Sequence, residues 1–228
     1  MMDRNIVVQL IQSSWVKGGV PDLRRAELGG IDLSGLDLHG ANLTEADLAQ
    51  ANMAGIDFHQ ANLVFANMIR AFLAGANLKG ANMVFANLRQ ADVTGANLSH
   101  VNLSAADMFA TNLTRANLQN ANLTEANLAQ AILQNANLSG ASMIETSLVK
   151  ANLQQADLRG ADLQDADLQS ANLSKAIYNE DTIWPDDFDP ASQGAIKEKR
   201  WFKPIEKIVD SFVQRRGASS IDIEDKNA

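Results

Sequence analysis

Apolar and polar residues alternate along most of this chain, but the alternation restarts every five residues. From Ala26 to Ile177 nearly every block reads A-(D/N)-L-x-x, as in Ala41-Asn42-Leu43, Ala76-Asn77-Leu78, Ala126-Asn127-Leu128 and Ala161-Asp162-Leu163. About 31 blocks follow one another without insertion or deletion, and Pro21-Asp22-Leu23 is a degenerate first block in the same frame. In an extended segment alternate side chains point to opposite sides. Ala at the first position and Leu at the third therefore share one side, and Asn or Asp at the second shares the other with the variable fourth. The fifth residue breaks that phase and demands a corner in every block. An α-helix fits poorly, because a five-residue apolar period drifts around its surface and Asn is a weak helix former. The pattern predicts a coiling chain with Ala and Leu inside, and with successive coils stacked at the strand spacing of about 4.8 Å.

A longer period sets the size of each coil. Gly35, Gly55, Gly75 and Gly95 occupy fifth positions twenty apart, and Gly40, Gly80, Gly140 and Gly160 are separated by multiples of twenty. The pair Val64-Phe65 returns as Val84-Phe85. Twenty residues make four blocks, so each coil has four sides. Four inward stacks follow, beginning Leu43-Leu63-Met83, Leu48-Met68-Leu88, Leu33-Met53-Leu73 and Leu38-Phe58-Leu78.

These tandem blocks resemble the pentapeptide-repeat family, over roughly two thirds of the chain. The resemblance implies an all-β fold, a right-handed quadrilateral β-helix, here with about eight coils over residues 21–180. An open coil end leaves backbone groups unpaired and needs a cap. Residues 1–20 supply one: Ile6, Val7, Leu10 and Ile11 have helical spacing, Asp3 is a candidate N-cap and Gly18-Gly19 a stop. At the other end residues 181–216 are expected to form a cap and a helix. Thr182-Ile183-Trp184-Pro185 and Phe188-Asp189-Pro190 read as an apolar plug that resembles the flanks of cyanobacterial members. A helical pattern then runs through Ile196, Trp201, Ile205, Ile208, Val209 and Phe212. Trp201, Ile205, Ile208 and Phe212 would dock on the coils or pair two copies, the latter because quinolone-resistance members of the family dimerise through their C-termini. Residues 217–228 are polar and expected to be disordered.

Composition narrows the chemistry. The absence of cysteine removes disulfides, thiol catalysis and thiolate metal sites. No stretch is long and apolar enough to span a bilayer and no secretory leader is evident, so a cytoplasmic protein is expected. No G-x-S-x-G or phosphate-loop motif is present. The many second-position Asn and Asp residues are expected to satisfy turns rather than act as acid–base pairs. Neither an enzyme nor a cofactor is expected. His39 and His59, twenty apart and accompanied by Asp37 and Asp57, form the one set with the residue types of a metal site, although a flat side presents ligands poorly.

The variable positions carry the functional clue. Most are small or polar, but Val64, Phe65, Val84 and Phe85 are expected to sit outside on stacked coils, with Ile69 and Phe109 around the corner near Arg70 and Arg89. A contiguous apolar patch favours an interaction site, unless the chain's own C-terminal helix covers it. The expectation is a non-enzymatic scaffold or regulator that binds a protein partner through this patch, as a monomer or as a dimer through the C-terminal helix. The alternative, implied by the resemblance, is a DNA mimic acting on a type II topoisomerase such as gyrase. A net charge of −8 suits that role and argues against direct binding of nucleic acid.

Overall fold

A computed structural model describes residues 3–198. The five-residue block has the same geometry throughout. Its second residue pairs in parallel with the residue twenty later, from Asp22 with Asn42 to Asn152 with Asn172 and Asp157 with Ile177. Through block 151–155, three backbone hydrogen bonds tie each block to its successor on the next coil. Leu23 N–H donates to Asn42 O at 2.8 Å, Arg25 N–H to Thr44 O at 3.0 Å, and Asn42 N–H to Pro21 O at 2.9 Å. The four-sided coil of twenty residues is thereby established.

Each corner is a hydrogen-bonded turn: the first residue of a block donates to the third of the block before, as Ala26 N–H does to Leu23 O at 3.1 Å. The fifth residue takes positive φ at every block, from Arg25 (57°) to Lys175 (60°), whether or not it is glycine. No fourth residue does so, so the turns are of type II, which needs positive φ only at its third residue. This is the physical content of the glycine spacing. Glycine adopts that conformation without steric cost, but the fold imposes it equally on Phe65, Arg70 and Glu125.

Ala and Leu fill the interior as expected. Leu43, Leu48, Leu33 and Leu38, and their successors in all four stacks, are buried. Two buried hydroxyls replace Ala at first positions. Thr111 Oγ1 donates to Leu88 O at 2.7 Å and Thr146 Oγ1 to Leu123 O at 2.8 Å, so each is satisfied by a corner carbonyl of the preceding coil.

The N-terminal cap is helix α1, Arg4–Val16, with the Asp3 carboxylate accepting from Ile6 N–H and with Val7 and Ile11 buried on the coils. Ile6 and Leu10, assigned to the same face by spacing, are exposed. Arg4 completes the cap. Its Nη1 donates to Asp32 O at 2.7 Å and its Nη2 to Ser34 O at 3.0 Å. One coil further on, the equivalent carbonyls of Asn52 and Ala54 receive the N–H groups of Leu33 and Gly35. A guanidinium thus stands in for the strand that the first coil lacks.

The C-terminal end departs from expectation. Ile196 does not begin a helix. Ile196–Lys197 is a strand (β2) paired in parallel with Ile177–Tyr178 (β1), after turns at residues 191–194. Parallel pairing therefore continues past residue 180, as far as Lys197. The reason is the offset. The irregular segment 179–195 spans nearly one coil length, which delivers Ile196 to the open edge above Ile177. The expected plug does form: Trp184 meets Tyr178 edge-on at 5.5 Å and stacks on Phe188 at 5.4 Å. Trp201, Ile205, Ile208 and Phe212, and the tail 217–228, lie outside the described residues.

Candidate functional site

The outer surface is built from second, fourth and fifth positions. At the second, Asn or Asp Oδ1 accepts the N–H of the fourth residue, as Asn122 does from Thr124 at 3.1 Å. This is the Asx turn that recommends these residue types here. The Asn amide then reaches across coils: Asn67 Nδ2 donates to Asp47 Oδ1 at 2.8 Å and Asn77 Nδ2 to Asp57 Oδ1 at 3.0 Å. The amide ladders are a structural device, as the sequence indicated.

His39 and His59 belong to that device as well. His39 Nδ1 lies 2.7 Å from Asp37 Oδ1, and His59 Nδ1 2.8 Å from Asp57 Oδ1. The two rings are parallel at 4.9 Å, and Trp15 from α1 stacks on His39 at 4.3 Å. Parallel rings with Nδ1 engaged aim their remaining nitrogens side by side, whereas a zinc ion needs nitrogens converging at about 2.0–2.1 Å. Among the described residues no group of three or more His, Asp or Glu side chains could hold a metal ion. The same second-to-fourth spacing pairs Asp22 with Arg24 and Asp157 with Arg159, which marks it as a recurrent intrablock ion pair. At Asp57 burial pushes the carboxyl upward, but the backbone and ring hydrogen bonds of His59 and the amide of Asn77 outweigh it and hold the group below its ordinary range. Asp157 is held low in the same way against burial, here by Arg159.

The apolar residues fall into two classes. Phe65 and Phe85 occupy one corner of successive coils, 55% and 53% exposed, with rings parallel at 5.0 Å. Positive φ at both, 57°, turns their side chains off the coil. Val64 and Val84 beside them are half-buried, as are Ile69 and Phe109 on the next side. Arg89 is held between two partners, its guanidinium 4.5 Å over the Phe109 ring and 3.0 Å from the Asp107 carboxylate. Sequence reasoning overlooked Phe72 and Ile132, 53% and 41% exposed. Both sit at second positions of the third side, where the ladder calls for Asn or Asp. That substitution was the available signal.

Models of the family's repeat match residues 22–60, 56–95, 86–124, 111–148, 121–160 and 146–177, in eight copies. The chain belongs to the pentapeptide-repeat family. Among solved structures, QnrB1, a plasmid-mediated fluoroquinolone resistance protein, shares the fold with a TM-score of 0.65 at 19% identity, over 88% of this chain and 95% of that one. HetL, involved in heterocyst differentiation regulation in the cyanobacterium Nostoc, is 27% identical over 87% of this chain and 95% of its own, with a TM-score of 0.41. Rfr23 from the cyanobacterium Cyanothece is 41% identical over 41% of this chain and 63% of its own, again with a TM-score of 0.41. No curated protein matches the chain in sequence. Pentapeptide-repeat proteins form right-handed quadrilateral β-helices, and the coil described above is of this kind. No helix among the described residues is long and apolar enough to cross a membrane.

Proposed function

We propose that this pentapeptide-repeat protein is a non-enzymatic scaffold or regulator that binds a protein partner through the corner formed by Val64, Phe65, Val84 and Phe85, with Ile69 and Phe109 flanking it. The supporting observation is the pair of phenylalanines, more than half exposed and stacked on successive coils at one corner. Clustered exposed aromatics of this kind are where binding energy concentrates in interfaces. Phe65→Ser with Phe85→Ser should leave the melting temperature nearly unchanged, because neither ring fills the core, and should abolish partner capture. A sharp fall in melting temperature would instead mean that the rings are needed for folding.

The second reading, a DNA-mimicking modulator of a type II topoisomerase, draws on the net charge of −8 and on the fold shared with QnrB1. Against it stands the distribution of charge. The second positions of the middle coils are mostly amides, including Asn67, Asn77, Asn82, Asn87 and Asn97, so these ladders do not imitate a phosphate backbone. A gyrase supercoiling assay with and without quinolone separates the two, since inhibition or protection would favour the mimic.

A further inference from the structure

The corner that carries Phe65 and Phe85 continues along the stack as Ala105, Glu125, Glu145 and Asp165, all at fifth positions with φ between 54° and 59°. Identical backbone geometry sends their side chains the same way, so the stretch from Phe65 to Asp165 is apolar at its start and acidic at its end. Glu125, Glu145 and Asp165 are exposed. Glu125 and Glu145 have no hydrogen-bond or ion-pair partner among the described residues, and Asp165 accepts only from its neighbour Gln164. The same column shows that coil-to-coil ion pairs form here when the residue types allow, because Arg25 binds Glu45 at 2.7 Å across successive coils. Farther along, the chain stacks like charges about 4.8 Å apart, with no cation paired to Glu125, Glu145 or Asp165 among the described residues.

We infer that this column is a docking strip for an amphipathic helix of a partner protein, apolar at one end and rich in Lys or Arg at the other. The inference rests on the proposed interaction role of the phenylalanine corner and specifies its partner. Charge complementarity fixes the sign of the distal half. Spacing selects the helix: its turns rise by about 5.4 Å, close to the coil spacing of about 4.8 Å. Same-face residues of an extended strand recur at about 6.6 Å and lose register within two coils. Five coil steps from Phe65 to Asp165 cover about 24 Å, which a helix of about 16 residues spans. Apolar side chains near its start would meet Phe65 and Phe85, and basic ones toward its end would meet Glu125, Glu145 and Asp165.

The test uses the full chain and a labelled synthetic helical peptide of about 18 residues. Leu occupies one face of its first two turns and Lys the same face of its last three; a control peptide has Glu in place of Lys. Fluorescence anisotropy should show saturable binding of the Lys peptide, weakened by salt, and none of the control. Glu125→Gln with Glu145→Gln should weaken binding about tenfold, as should Phe65→Ser with Phe85→Ser, both without a change in melting temperature. Loss only with the phenylalanine variant would overturn the acidic strip while leaving the apolar patch standing. No loss with either variant, or no binding, would overturn the strip and the patch alike as the seat of a helix. Self-association of the unmodified chain, abolished by the glutamate variant, would assign the strip to a second copy and overturn the foreign helix.

Discussion

Leu98 touches no solvent and stands in a column of leucines whose neighbours above and below are Leu78 and Leu118. Shortening it opens a hole in a channel only one side chain deep, with no second layer to collapse into the space. Leu98→Ala should therefore cost about 2–5 kcal/mol, read as a lowered denaturation midpoint. An unchanged midpoint would mean that the side chain does not face the interior. This inward set was legible from sequence because one residue type recurs at one position and burial follows from alternation alone. The chemistry of His39 and His59 was not legible to the same degree. Their residue types suggest ligation, and only the geometry shows each ring occupied by its own block's aspartate and stacked on its neighbour, with Trp15 from a distant segment closing the pile. Arg4 is a similar case. Nothing in its local sequence announces that it will meet the carbonyls of Asp32 and Ser34, since that encounter depends on how α1 lies across the first coil.

At the level of the element, the corner decides the fold. The left-handed conformation costs a residue with a Cβ roughly 1–2 kcal/mol, and the chain sustains it at more than twenty fifth positions. The hydrogen bonds and burial of two adjoining sides overrule it. The broken phase disclosed the corner's position, and glycines such as Gly55 and Gly75 hinted at its conformation. At Gly75 an added Cβ would meet nothing within 4 Å, so φ, here 67°, is the only obstacle to substitution. Gly75→Val should lower stability by about 1–2 kcal/mol in chemical denaturation, and Gly75→Asn by less, because Asn tolerates this region. Equal losses would point to a clash instead of backbone conformation. The misread element lies at the end of the stack. A helical spacing that begins at Ile196 is real as a pattern, but an unpaired edge over Ile177 and Tyr178 offers that residue hydrogen bonds to the chain, and the strand prevails.

Across the described stack, function separates from architecture by position. First and third residues build the interior, second residues lace the coils together, and fourth and fifth residues are left to vary. That freedom is why the apolar corner could be recognised in the sequence, as a departure from small and polar types, while Phe72 and Ile132 were hidden by occupying a position already assigned to the ladder. The pairing of second residues with those twenty later, from Asp22 to Asp157, also has a consequence for gene engineering. Excision of residues 101–120 removes a whole coil and joins His100 to Ala121, which then opens a block where Val101 did. The phenylalanines and the glutamates remain in one file, closer by about 4.8 Å. Excision of residues 101–105 alone leaves every downstream block intact in sequence but turns it by a quarter revolution, moving Glu125 and Glu145 to another corner. Both proteins should fold, as circular dichroism would show. Only the longer deletion should keep a binding function that needs both ends of the file; equal activity of the two would show that it does not. In this fold the unit of tolerated insertion or loss is the codon count of a full coil, so the reading frame that matters for the surface is sixty nucleotides long, not three.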